Sequence, residues 1–383
     1  MANRIKPLTF FLSLLLIVSN VCGCSLNPKQ QDYITIGALL PLSGDSSDEG
    51  LRALNGIYLA RDEINMSGGV LGKKIDIIVL NDKNDEDYIV RQYSVLKEKG
   101  VDAIIGSSYS SATIALAQMA AIDGIPVISP TASNPNVTKG RDNIFRAIFI
   151  DDYQAEVMAK FAYNSLNAKT AVVMYSKNYE TYTHTAGVFA ESFTAHGGQV
   201  VAHEHFSSDD VFAGIVGKYA DNPPDIIYFP ENFIPAAKLV NAAYATGLEG
   251  TRILGTDAWD GLLAYVYHPG AMENVYYTSP FSFDDQDPSV ARFVKDYYET
   301  FSQMPIAGSA TAYTCVYILA EAINRAGSMV MGDIVSAIKG IELDVITGRI
   351  YFDENNNPRT NVYIIQIKDG VYATYEKLSM GRD

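Results

Sequence analysis

The sequence predicts an α/β fold made of two doubly wound halves, each a parallel sheet covered by helices. Three observations carry this. Short apolar runs bounded by turn residues alternate with helical patterns, which is the signature of βαβ units. The alternation pauses at residues 145–152 and then restarts, so it occurs in two sets. After Pro280 it gives way to long amphipathic helices and an antiparallel tail.

The elements follow in order. Tyr33–Leu40 is the first strand, Pro41–Gly50 a turn-rich loop, and Ala53, Ile57, Leu59, Ala60 and Ile64 mark one apolar face of a helix. Lys74–Leu80 is a strand, followed by a polar loop and a helix through Leu96. Val101–Ile105 is a buried strand that Gly106 ends, and Ile125–Ser129 is another. In the second set, strands at Ala171–Tyr175, Gln199–His205, Pro224–Phe229 and Arg252–Gly255 alternate with helices at Tyr153–Leu166, Thr183–His196, around Ile215 and at Pro235–Ala245. Ser289–Phe301, Thr311–Ala326 and Met331–Lys339 read as amphipathic helices. Gly348–Asp353, Asn361–Lys368 and Val371–Tyr375 read as antiparallel strands with turns at Glu354–Pro358 and Asp369–Gly370.

The chain's first residues are set aside from the fold. Arg4 and Lys6 precede an apolar core, Leu8–Val18, too short for a comfortable membrane span. Val21-Cys22-Gly23-Cys24 follows and resembles the lipobox of bacterial lipoproteins, which implies cleavage before Cys24 and its acylation. The alternative is an ordinary secretory signal with a fortuitous cysteine. On the lipoprotein reading, 1–23 is a signal peptide, 24–32 a lipid-anchored tether, and the protein is exported and anchored to the cell envelope, in the periplasm or on the outer face of the membrane. Cys315 is then left without an intramolecular partner, in an apolar helical pattern that makes it a small core residue.

The whole chain carries a net charge of −15, and loss of Arg4 and Lys6 makes the remainder more acidic. Phosphate binding needs Lys and Arg, so nucleic acid is a poor partner. No Gly-x-Ser-x-Gly elbow or phosphate loop is present. His203-Glu204-His205 lacks helical zinc spacing and reads as a solvated strand face. Asp353–Pro358 lacks the glycine and distal glutamate of a calcium loop and reads as a turn. The chain is expected to be no enzyme, with no cofactor and no metal.

One stretch stands out. Val101-Asp-Ala-Ile-Ile-Gly106 runs into Ser107-Ser108-Tyr109-Ser110-Ser111-Ala112-Thr113 at the start of a helix. Helix N-termini leave N–H groups unpaired and favour negative charge, so these hydroxyls either cap the helix or hold an anion such as a carboxylate.

Five ordered segments carry a family resemblance. They are Ile34-Thr-Ile-Gly-Ala-Leu-Leu-Pro-Leu-Ser-Gly44, Asp62-Glu-Ile-Asn-Met-Ser-Gly-Gly-Val-Leu-Gly-Lys-Lys74, Ile104-Ile-Gly106 with its hydroxyls, Ile128-Ser-Pro-Thr-Ala-Ser-Asn-Pro135 and Gly255-Thr-Asp-Ala-Trp-Asp260. The chain resembles the leucine/isoleucine/valine-binding proteins, the type I periplasmic binding proteins of ABC transporters, over nearly its whole length after the leader. The resemblance implies two lobes joined by three crossings near Ile150, Pro280 and Thr347, with ligand in the cleft between them. Lobe one is then 33–150 plus 281–346, and lobe two 151–280 plus 347–383.

The resemblance also implies a site for an α-amino acid. Ser110, beside Ser111, and the Thr131-Ala132-Ser133 turn match the positions that hold the ligand carboxylate, at the carboxyl ends of strands. Asp257 matches the acid that meets the ammonium. A family tyrosine matches Tyr182 or, with a small gap, Tyr179. Trp259 either walls the pocket or belongs to the lobe-two core. Two positions depart from the pattern: a first-loop aromatic of many relatives is Glu49 here, and another aromatic is replaced around Glu231-Asn232. Extra acids point either to a ligand with a further positive or hydrogen-bonding group or to surface charge.

The implied protein is a monomeric solute-binding lipoprotein that delivers a small amino acid (branched-chain-like) or related carboxylate to an ABC permease. The alternatives are a sensor that presents ligand to a membrane receptor and a binder of aromatic or other organic acids.

Overall fold

The computed structural model describes residues 33–208 and 211–378. Cys24 and the expected leader and tether lie outside these residues. Among them no helix is long and apolar enough to cross a membrane.

Lobe one is built on β1 (Tyr33–Leu40), β2 (Lys74–Asn81), β3 (Ala103–Gly106), β4 (Val127–Ser129) and β5 (Ile144–Arg146), in the order β2-β1-β3-β4-β5. The pairings of β3 with β1, of β4 with β3 and of β5 with β4 are parallel. Side chains alternate across such a sheet, and both of its faces are covered. Ile34, Ile36 and Ala38 meet the helices Ser47–Met66 and Ala307–Ala326 on one side, while Leu39 and Ile104 meet Glu86–Glu98 and Ser110–Asp123 on the other. Cys315 is fully buried in the first of these layers.

Lobe two holds β6 (Thr170–Ser176), β7 (Gln199–Phe206), β8 (Ile226–Tyr228), β9 (Arg252–Gly255), β10 (Val275–Ser279), β14 (Val362–Lys368) and β15 (Val371–Leu378), ordered β15-β14-β10-β9-β8-β6-β7. Its first five strands run parallel, and the closing hairpin is antiparallel. Val172 and Met174 face one core layer, Ala171 and Val173 the other.

One boundary moves. The third crossing, expected at Thr347, falls after Arg359. A strand absent from the sequence expectation, β11 (Glu342–Val345), pairs with β12 (Gly348–Phe352), which pairs with β13 (Pro358–Arg359). This small sheet belongs to lobe one. Ile350 and Phe352 enter the lobe-one core, with Phe352 edge-on to Phe145 at 5.2 Å between ring centroids. The Asn356 side chain donates to the carbonyls of Arg141 at 2.9 Å and Ile144 at 3.1 Å. The alternation of Ile350 and Phe352 shows a strand with one buried face, but not which core receives that face. Val362 is the first residue of this segment to join the lobe-two core.

Candidate functional site

The lobe-one wall of the cleft begins where β3 stops. Gly106 has φ of +140°, and a Cβ there would lie 2.2 Å from the Leu39 carbonyl oxygen, so the turn requires glycine. Most hydroxyls around this turn are committed to holding it. Ser107 donates to Asp82 at 2.6 Å, Ser129 to the Ser107 carbonyl at 2.6 Å, Thr113 to the Tyr109 carbonyl at 2.7 Å and Thr131 to the Ser108 carbonyl at 2.7 Å. Ser110 differs. Its Oγ accepts the Asn134 N–H at 3.3 Å, and its own proton makes no hydrogen bond among the described residues. Tyr109, at the N-cap, is extended and supplies no side-chain cap to the helix Ser110–Asp123. A free hydroxyl donor and uncapped N–H groups therefore share one helix start, an arrangement that suits a carboxylate. Behind it the fully buried Arg146 donates to the carbonyls of Ala132 at 2.7 Å and Asn134 at 2.8 Å. Burial pulls the Arg146 guanidinium down to about 10.

The lobe-two wall and the hinge carry acids. Asp257 follows β9, and burial, with the nearby Asp151 charge, pushes its carboxyl up to about 7. Asp151, the first residue of the helix Asp151–Asn164, is 7% exposed. Burial raises its pKa against the opposing effect of hydrogen bonds from Ser133 and Gln154 and of the Arg146 charge. Gln154 ties the region together. Its Nε2 donates to Asp151 at 2.9 Å, and its Oε1 accepts from the Asp257 N–H at 3.1 Å and the Thr278 hydroxyl at 2.7 Å. This one side chain spans the first crossing, the strand before the second, and the Asp257 loop. Hydrogen bonds that bridge the lobes include Asn134 Nδ2 to Thr181 Oγ1 at 3.1 Å and the Ala307 N–H to Asp260 Oδ2 at 3.0 Å.

A sequence-family model described as periplasmic binding protein matches residues 33–371. The chain belongs to the periplasmic binding protein family. It is similar to a Leu/Ile/Val-binding protein of Rhizobium johnstonii, 26% identical over 347 residues, which cover 88% of this chain and 92% of that one. A leucine-binding protein, LivK, of Thermotoga maritima superposes with a TM-score of 0.79 at 28% identity, over 90% of this chain and 99% of that one. The substrate-binding protein LivJ of Streptococcus pneumoniae, solved with isoleucine, gives 0.80 at 27%, over 90% and 98%. This periplasmic binding protein is thus of the leucine/isoleucine/valine-binding type, a solute-binding component of ABC-transporter type and not an enzyme. Its fold is the type I arrangement of two lobes around a cleft.

The structure distributes the expected site residues unevenly. Ser110 opens the helix after β3 in lobe one, and Asp257 follows β9 in lobe two. Ser111 is exposed beside Ser110. The Thr131 hydroxyl is spent on Ser108, and Ala132 is buried with its N–H on Ser129 Oγ at 3.1 Å and its carbonyl on Arg146, so both act as scaffold. Ser133 is half-buried, with its hydroxyl on Asp151 and its carbonyl accepting the Asp151 N–H at 3.2 Å. Tyr182 is half-buried, and its phenol is pushed up by burial and by the charges of Glu231, Tyr179, Asp151 and Tyr109. Tyr179 is 61% exposed and packs edge-on against Tyr182 from outside, 5.4 Å between centroids. Glu49 is half-buried and accepts the Tyr109 hydroxyl at 2.5 Å.

One open alternative is decided, and one expected contact is displaced. Trp259 is 0% exposed, sits in the lobe-two core and does not wall the pocket. Its indole N–H donates to the Glu231 carbonyl at 2.9 Å, and a Cβ on Gly255 would lie 2.1 Å from the ring. Asn232 is exposed at the start of the helix Phe233–Ala245. The acid beside it, Glu231, is the buried one, and its carboxylate accepts the Ser176 N–H at 2.7 Å. Sequence reasoning missed Tyr109, Asp151, Gln154 and Asp260 as parts of the site. Tyr109 stood inside the hydroxyl run, and Asp151 at the pause between the two sets. Gln154 carried no signal, because an amide in a helix pattern looks like any other polar residue.

Proposed function

We propose that this protein is an exported, lipid-anchored receptor for an α-amino acid or close analogue, which it hands to an ABC permease. What supports the reading is a pair of groups at strand ends of different lobes: Ser110, whose hydroxyl proton is uncommitted at an uncapped helix start after β3, and Asp257 after β9, a carboxylate with no ion pair among the described residues. One wall suits a carboxylate and the other an ammonium. An α-amino acid carries both and bridges them. Binding then closes the hinge, because only the closed state makes both sets of contacts. Ser133, Tyr182 and the Ser111 rim complete the pocket in this reading, and Cys24 bears the lipid.

The test is calorimetry with a panel of α-amino acids on the purified protein, with Ser110→Ala and Asp257→Ala beside it. Both variants are expected to weaken the best ligand. Unchanged affinity in both would remove the assigned site. Lipidation is read separately, by fatty-acid labelling that Cys24→Ala abolishes.

A further inference from the structure

We propose that the ligand is a cationic amino acid, with a second positive group on its side chain that is recognised by Glu49. The inference rests on the amino-acid reading above and specifies its side chain.

The cleft holds more acid than one ammonium can satisfy. Asp151, Asp257, Asp260 and Glu49 form a series from the hinge across lobe two to the first turn of the lobe-one helix Ser47–Met66, each in electrostatic reach of the next. Two members have cations of their own within reach: Arg146 for Asp151 and Arg52 for Asp260. Arg52 is also engaged with Asp48 at 2.8 Å and the Met304 carbonyl at 3.2 Å. The other two do not. Neither Asp257 nor Glu49 makes an ion pair among the described residues, and the nearby charges that act on them are carboxylates.

Glu49 is partly withdrawn from water, and the group that hydrogen-bonds its carboxylate is the neutral Tyr109 hydroxyl. Closing the cleft over a leucine would strip more water from this carboxylate and give nothing back, because burial penalises an unpaired charge heavily. A ligand ammonium or guanidinium replaces that water with an ion pair.

An independent observation marks the other end of the series. The Tyr228 hydroxyl is fully buried, has no hydrogen-bond partner among the described residues, and lies within reach of Asp151 and Asp257. A buried hydroxyl left unpaired is costly. A ligand α-ammonium held at Asp257 supplies the missing neighbour. The α-ammonium thus accounts for Asp257 and Tyr228, and Glu49 is left as the receptor for a second cation.

The experiment titrates L-lysine, L-arginine and L-leucine into the purified protein and its Glu49→Gln variant. Lysine or arginine is expected to bind the unmodified protein at least tenfold more tightly than leucine. In Glu49→Gln that preference falls at least tenfold while leucine binding is not weakened. Leucine binding more tightly than both basic amino acids, or a lysine affinity that Glu49→Gln leaves unchanged, overturns the cationic side chain and leaves the amino-acid reading intact. If none of the three binds, both readings fall. Should Glu49→Gln not fold, Glu49→Asp, which keeps the charge and withdraws it by one methylene, is compared in the same titrations and is expected to weaken lysine more than leucine. Equal effects on the two overturn the proposal.

Discussion

The two walls of the cleft solve opposite problems. On lobe one the groups at the start of the helix Ser110–Asp123 are hydroxyls mostly spent on the scaffold: Ser107, Thr113, Ser129 and Thr131 all donate inward, and Ser110 keeps a proton to offer. On lobe two the polar groups are charged, and the central one is uncompensated. Burial holds Asp257 near neutrality at about 7, and the Asp151 charge adds to the effect. A rigid wall of neutral donors holds an anion without carrying charge of its own, at little reorganisation. A strained carboxylate holds a cation strongly because it gains so much when one arrives. The first wall is built for placement and the second for affinity.

The sharpest way to break this comparison is Asp257→Asn. Ligand affinity is expected to fall roughly hundredfold, about 2.7 kcal/mol, as for loss of a charge-assisted hydrogen bond. The ligand-free variant should meanwhile be more stable than the parent at pH 8. The sign follows from the raised pKa: between the unfolded value of 3.8 and the folded value of about 7, the native state holds a proton that the unfolded chain has lost. Stability from this group therefore falls as pH rises across that window, and Asn removes the loss. Melts of both proteins from pH 4 to 8 check it, and a parent more stable than the variant at pH 8 contradicts the account.

The same titration sets the next expectation. Affinity for an ammonium-bearing ligand should rise with pH up to about 7, by up to roughly tenfold per unit, and level off above it. Calorimetry across pH 5–8.5 shows the slope, and Asp257→Asn should flatten it. On the neutral wall the effects are smaller. Ser110→Ala is expected to weaken binding about tenfold, about 1.4 kcal/mol. Smallest of all for the ligand is Thr131→Val, which should change affinity by less than about threefold yet lower stability by about 1 kcal/mol in urea melts, since that hydroxyl ties the two loops together.

Much of this was legible in sequence. The buried runs of β1, β3 and β4 and the hydroxyl stretch after Gly106 fix a parallel sheet with its functional edge at the strand ends. Ser110 and Asp257 were picked out by the family resemblance, and each lies a few residues after such a strand. Three things were not legible. The role of Thr131 depends on which way one hydroxyl points, and sequence does not carry direction. Trp259 was equally at home in a pocket or a core until Gly255 was seen lying flat against its ring. The displaced third crossing turned on which of two hydrophobic cores received Ile350 and Phe352, a choice made by tertiary packing alone.

The burial of Trp259 has an optical consequence. The chain contains a single tryptophan, and it lies in lobe two, two residues from Asp257 with its N–H on the backbone of Glu231. The one free cysteine among the described residues lies in the opposite lobe, sealed inside the lobe-one core. The molecule thus has an intrinsic fluorophore in one half and a chemically addressable thiol in the other. Indole emission should follow events beside the cleft, while thiol labelling should wait for lobe one to unfold, so the two signals time the halves separately with no engineered residue.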